Sequence, residues 1–213
     1  MMGCGKTGQF KARIKTKQFK TLKSGDFMKV ATVQLKSMAS YSQGRYHDTE
    51  KLNKESHADY EERTWRNKLH VNKDGFVFIP AMAFKNCISE CAKYLSIQIP
   101  GKGKATYTKH FDAGVIVSDA LVLDTKAEDV ECERLFIPNP GTTSRVKKSF
   151  PIIHEWSGEV KFFILDETIT EKVFTDHLKQ AGQFIGIGRW RPRNRGLYGR
   201  FTVESVDFAP YEI

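Results

Sequence analysis

Two amphipathic helical stretches set among short apolar runs predict an α+β fold. In the first stretch Phe84, Cys87, Ile88, Cys91, Ala92 and Leu95 recur at helical spacing and mark one buried face. In the second, Val173, Phe174, His177, Leu178 and Ala181 do the same. The strand-like runs fall on both sides of each helix and do not collect at one end of the chain.

Residues 27–35 alternate and are rich in Val and Thr, which predicts the first strand. Residues 76–79, Phe-Val-Phe-Ile, form a short extended run that ends at Pro80, a residue suited to a helix start. The first helix follows. Residues 114–123 carry a near-continuous apolar run and predict one strand; 132–137 and 160–165 predict two more. Thr168 and Glu171 have capping-box spacing at the start of the second helix, and Gly182 suits its C-terminal end. Residues 201–208 form the last strand. Without the insertions the order is strand, helix, strand, strand, helix, strand. That is the ferredoxin-like βαββαβ arrangement, an antiparallel sheet with two helices on one face. The whole chain, 1–213, reads as a single domain. Residues 39–75 form an insertion with a short helix near 55–69, 97–112 is a second, and 138–148 is loop-like with Asn-Pro-Gly punctuation.

The chain has 213 residues and a formal net charge of +9, which favours polyanionic partners. The excess is clustered. Residues 1–30 are dense in Lys and Arg, with Asp26 the one acid; 97–111, 141–150 and 182–200 hold no acid at all. Residues 112–133 are acidic by contrast, and 44–75 are balanced. No apolar run approaches the ~20 residues that span a bilayer, so no membrane association is expected. The basic start has no apolar core of a secretory signal. Cys4, Cys87, Cys91 and Cys132 lack zinc-ligand spacing, and reduced thiols suggest a cytoplasmic setting. The opening Gly-Cys-Gly-Lys-Thr lacks the upstream glycine and strand that a phosphate loop needs. No metal or cofactor is expected.

Residues 186–201 read GIGRWRPRNRGLYGRF. Glycines let backbone amides approach an anion. Arginine offers planar, bidentate donors to phosphate. Aromatic rings offer faces on which bases stack. Candidate phosphate contacts are therefore Lys85, Arg189, Arg191, Arg193, Arg195 and Arg200, with Trp190, Tyr198 and Tyr107 as stacking residues. Lys102, Lys104, Lys109, Lys147 and Lys148 are secondary contacts on loops. The competing reading is a solvated turn, with Trp190 plugging the core and Tyr198 packed beneath the loop.

Two stretches carry a family resemblance. Phe76-Val-Phe-Ile-Pro-Ala-Met-Ala-Phe-Lys-Asn-Cys-Ile88 is similar to the strand-end motif of the RAMP (repeat-associated) superfamily, the ferredoxin-like RNA-binding proteins of CRISPR systems. Gly186-Ile-Gly-Arg-Trp190 through Arg195-Gly-Leu-Tyr-Gly-Arg-Phe201 is similar to that superfamily's glycine-rich loop before the last strand. Where the family has Gly-Ser-Ser-Leu-Lys-Gly, this chain has Ala81-Met-Ala-Phe-Lys-Asn86. The resemblance implies a backbone subunit that packs along guide RNA beside other CRISPR subunits. It implies a finger-like segment at 39–75 and thumb-like segments at 97–112 and 138–150.

The expected function is non-catalytic binding of single-stranded RNA or DNA, with copies packed head to tail along the strand. One alternative is a stand-alone single-stranded DNA-binding protein of phage replication or recombination. Another is a metal-independent endoribonuclease, with His110 as base; separately, the resemblance to backbone subunits that cut target RNA points to Asp48 as the cutting aspartate. A third is a mimic of a CRISPR subunit that binds protein only. His57, Asp59, Glu61 and Glu62 form a cluster that a cation or solvent would satisfy.

Overall fold

The computed structural model describes residues 28–139 and 141–211. The strands are β1 (Met28–Ser37), β2 (Tyr41–Ser42), β3 (Phe76–Ile79), β4 (Val115–Val117), β5 (Leu121–Lys126), β6 (Glu131–Pro138), β7 (Arg145–Ile153), β8 (Ser157–Ile164) and β9 (Phe201–Tyr211). The α-helices are α1 (His57–Thr64), α2 (Ala81–Leu95), α3 (Thr108–Gly114) and α4 (Glu171–Gln180). The main sheet has the order β4-β8-β1-β9, with every neighbouring pair antiparallel. With α2 between β1 and β4, and α4 between β8 and β9, this is the ferredoxin-like topology that the element order predicts.

The sheet buries one face against the helices. Ala31, Val33 and Leu35 of β1 are fully buried, and Val160, Phe162 and Ile164 of β8 lie beside them. Phe84, Cys87, Ile88, Cys91 and Ala92 of α2, and Phe174 and Leu178 of α4, close the core from the other side. Burial pushes the Cys91 thiol up to about 12, so it stays protonated. The last strand changes phase midway. Leu35 pairs with Val203 but Gln34 pairs with Ser205, so Glu204 is an extra residue. That bulge moves the inward positions from Phe201 and Val203 to Val206 and Phe208.

Several local expectations change. The 114–123 run is two strands: β4 stays in the main sheet, and after residues 118–120 β5 pairs with β3 instead. The 138–148 stretch is the turn and outgoing arm of a hairpin, β6–β7. Its polar start, Arg145 to Lys148, hid a strand whose buried half begins at Ser149. The α4 cap is Thr170, whose hydroxyl accepts from the Val173 amide; Thr168 instead donates its amide to Asp166. Gly182 does not end the helix. It lies in a π-turn, Ala181–Ile185, where an added Cβ would sit 2.2 Å from the Phe201 carbonyl oxygen.

The 39–75 insertion and the β6–β7 hairpin form one lobe. β2, β7 and β6 make a three-stranded sheet, and α1 with the following 3-10 turn, Trp65–Lys68, packs against β7. Glu62 of α1 pairs with Arg134 of β6. No described helix is long and apolar enough to cross a membrane.

Candidate nucleic-acid interface

The glycine-arginine loop fills the seam between the ferredoxin-like core and this lobe. The Arg189 amide donates to the Ser42 carbonyl at 2.9 Å, and the Gly199 amide to the Ser40 carbonyl at 2.8 Å. Gly188 has φ +75°, and a Cβ there would meet the Tyr41 ring at 2.4 Å, so position 188 accepts no side chain. Trp190 also sits in the left-handed region, at φ +47°. For a bulky residue this costs about 1–3 kcal/mol. Packing offsets it: the ring meets Phe150 edge-on at 5.3 Å and tilts against Tyr198 at 6.1 Å.

Beneath the loop lies a cationic cluster. Glu61 of α1 is buried and accepts from Lys68 and from Lys148, both at 2.6 Å. Burial alone would raise its carboxyl; the two lysine bonds outweigh that and bring it down to about 2. Lys68 and Arg189 both lie over the Phe150 ring, at 4.5 and 3.3 Å from its centroid. Three cations therefore share one carboxylate and one ring. Burial shifts Lys68 and Arg189 downwards, partly offset by Glu61.

Beside the cluster is a groove of about 420 Å3 where the two family-like motifs meet. Gly188 and Arg189 form one side, and Pro80, Met82, Ala83 and Asn86 at the start of α2 form the other. Gln43 and His70 close the floor. Gln43 is buried; its amide donates to the Phe78 carbonyl at 2.8 Å and its oxygen accepts from the His70 amide at 2.6 Å. Pro80 caps α2 without a side-chain bond. The Ala83 amide is taken by the Pro80 carbonyl at 2.9 Å, and the positive end of the helix dipole lies at the groove, an arrangement that favours an anion. Burial, with Arg45 nearby, lowers the His70 pKa, so that ring is neutral near pH 7.

The remaining expected contacts are spread out. Arg191 and Arg193 both pair with Glu90 of α2, at 2.7 and 3.0 Å. Arg200 donates to the carbonyls of Gln183 and Leu197. Arg195 is exposed, and among the described residues its side chain has no partner. The Tyr198 hydroxyl donates to Glu133 at 2.5 Å, which with burial holds it up at about 12. Lys85 is bonded to Ser89 and to the carbonyls of Phe111 and Asp112, so it caps the end of α3. Tyr107 is 6% exposed and packs edge-on against His177, which leaves no face for a base. Lys147 lies on β7 opposite exposed Phe136.

The basic segments do not all converge. Residues 141–150 and 182–200 meet at the cluster. Lys102 reaches Thr168 at the start of α4, and Lys104 is in the same loop. These two lie past the far end of α2, about 20 Å from its first turn. Lys109 is exposed on α3. The basic residues before Met28 lie outside the described residues. Sequence reasoning missed Lys68 and Phe150 and read Glu61 as part of a cation or solvent cluster, because 44–75 is balanced in charge and Phe150 sat in an expected thumb-like insertion. Lys148 carried the available signal, a lysine in an acid-free stretch.

His110 bonds Asp166 through Nδ1 at 2.5 Å, both side chains about a quarter exposed. Asp48 is exposed. Among the described residues no group of three or more His, Cys, Asp or Glu is placed to hold a metal. Ser56 caps α1, its hydroxyl oxygen accepting from the Asp59 amide and its hydroxyl donating to the Asp59 carboxylate; Glu61 holds two lysines and Glu62 holds Arg134.

The four-stranded antiparallel sheet with α2 and α4 on one face, and the second lobe joined to it at the loop, define a ferredoxin-like α+β protein. No protein-family model matches the chain, and no curated protein matches its sequence. Its fold is similar to that of a chain in the cryo-EM structure of the type III-B Cmr-beta bound to cognate target RNA, with TM-score 0.52 and 9% identity over 86% of this chain and 61% of that one. The chain thus spans under two thirds of that neighbour's length. The crystal structure of Cmr6 from Pyrococcus furiosus superposes with TM-score 0.44 and 14% identity, over 83% of this chain and 98% of that one. What the chain shares with the Cmr-beta neighbour is thus the fold.

Proposed function

We propose that this chain is a non-catalytic protein that binds single-stranded nucleic acid, RNA in the first instance, and packs along it as a CRISPR-type backbone subunit. The observation that carries the reading is the meeting of the α2 N-terminus and the Gly188–Arg189 turn at one groove, with Arg189 linking that groove to the Lys68–Lys148 cluster beside it. Amides and guanidinium groups there suit a phosphate. The fold shared with a chain of an RNA-bound complex supports RNA over DNA. Exposed Arg195 and Lys109, with half-buried Lys147, are cations that extend the contact. Further copies, or other CRISPR subunits, are the expected partners along the strand, in a cytoplasmic setting.

A titration of labelled single-stranded RNA and DNA at increasing salt tests this. Binding that weakens linearly with log salt concentration is expected, with a slope near 0.7 per phosphate contacted. Binding of neither strand at low salt would sink the proposal and favour a protein-only role.

A ribonuclease reading has one observation behind it. Asp166 holds His110 through Nδ1, which leaves Nε2 to act as a base. Incubation with labelled RNA hairpins decides it: cleavage that His110→Ala abolishes would establish an enzyme.

A further inference from the structure

Tyr94 of α2 is 54% exposed and Phe184 of the π-turn 49% exposed. Single exposed apolar residues are ordinary. These two are neighbours, with ring centroids 6.3 Å apart and planes tilted by 33°. The π-turn is what exposes Phe184. In a continued α-helix it would lie seven residues after buried His177 and share that inward face. The wider turn, closed by the Gly186 amide on the Ala181 carbonyl at 2.9 Å, rotates it outwards.

A cation already sits on this platform. The Arg193 guanidinium carbon is 5.7 Å from the Tyr94 ring centroid, and Glu90 holds that side chain in place. Tyr94 also lines a groove of about 690 Å3 with Asn86, Lys93, Glu90 and Arg191. Asn86 lines the groove at the start of α2 as well, so the two grooves adjoin. The carboxylates here are Glu90 and Asp112. Glu90 is neutralised by two arginines, and Lys85 lies beside Asp112. The rings expected to stack are less accessible: Trp190 is packed on Phe150, Tyr198 is tied to Glu133 and Tyr107 is buried.

We propose that Tyr94 and Phe184 form a base-stacking platform for single-stranded nucleic acid, one step along α2 from the phosphate groove, with Arg193 and Lys93 at the adjoining phosphate. The proposal rests on the strand-binding reading above and adds where a base goes.

The test is a fluorescence-anisotropy titration of the full chain with a labelled oligouridine, alongside 4-thiouridine crosslinking mapped by mass spectrometry. The Tyr94→Ala/Phe184→Ala double variant is expected to bind on the order of tenfold more weakly or worse. Its salt slope should be unchanged, because stacking releases no counterions. Tyr94→Trp should restore affinity, and wild-type crosslinks should fall on Tyr94 or Phe184. Undiminished affinity in the double variant, or crosslinks elsewhere, would overturn the platform while leaving strand binding intact. If the double variant keeps strand affinity and loses self-association in sedimentation, the patch is a protein contact and the proposal is wrong. A wild type that binds no strand takes down both readings.

Discussion

The Arg189 guanidinium lies over the Phe150 ring, with 3.3 Å between its central carbon and the ring centroid. This contact joins the glycine-arginine loop to the β6–β7 hairpin, segments about forty residues apart in sequence. It also holds an arginine near Lys68 and Lys148 without a carboxylate of its own. Glu61, the one buried acid in the cluster, is already taken by the two lysines. The surplus of positive charge is thus built in, and Arg189 carries it to the groove at the start of α2.

Glu61→Gln should destabilise the lobe by about 3 kcal/mol at pH 7, because it leaves two partly buried lysines without their counter-charge. The folded carboxyl titrates at about 2, below an unfolded value near 4.3. Its contribution is therefore complete above that unfolded value and is lost as pH falls towards the folded one. Urea unfolding should show the gap between wild type and variant narrowing from pH 7 to pH 3. A gap that stays constant would assign the loss to packing instead of the ion pair.

Gly182→Ala should cost about 1–3 kcal/mol or more, through overpacking alone. The added methyl lies within 2.2 Å of the Phe201 backbone oxygen, an atom fixed by the first residues of β9. Thermal unfolding reads this directly. An unchanged midpoint would mean that the π-turn can shift away from the strand.

How far the sequence carried these features depended on whether burial was periodic. Helical spacing revealed α2 and α4, because each buries one stripe on the same sheet. The β4/β5 break was hidden, because both strands are apolar and only their partners differ. The bulge at Glu204 was hidden too, because it shifts the inward phase between Val203 and Val206 with no local chemistry to mark it. At the candidate site, the loop's residue types pointed to residues 186–201, which the structure places at the seam between core and lobe. They did not reveal that Glu90 in α2 would claim two of its arginines, since that pairing crosses about a hundred residues of chain. Lys85 shows the same limit: the motif supplies the lysine, and α3 supplies acceptors that no spacing announces.

His177 should make stability fall below about pH 6.5. Its ring is buried against Phe111, with centroids 4.5 Å apart, and Nδ1 donates to the Val173 carbonyl at 2.7 Å. Burial lowers its folded pKa, so the unfolded chain takes up the proton first, near pH 6.5. Stability is whole above that value and declines as pH falls towards the folded pKa. His57 and His70 are lowered as well and act with the same sign. Unfolding free energies at pH 7 and pH 5 should differ less in His177→Gln than in wild type. An equal difference would remove His177 as a source.

Arg195 and Arg191 separate binding from architecture. Arg195 is exposed on a left-handed turn, φ +63°, and no described side chain neutralises it. Arg191 is three-quarters buried and shares Glu90 with Arg193. Arg195→Ala should leave the unfolding midpoint within error and weaken strand binding at low salt. The slope of log affinity against log salt should drop by roughly 0.7, the share of one released counterion on a single strand. Arg191→Ala should instead lower the midpoint, because Glu90 loses its more buried partner, while the salt slope changes less. If the two variants trade places, with Arg195 stabilising and Arg191 setting the salt dependence, then the strand runs over the α2 side of the loop and the Glu90 pairs open when it binds.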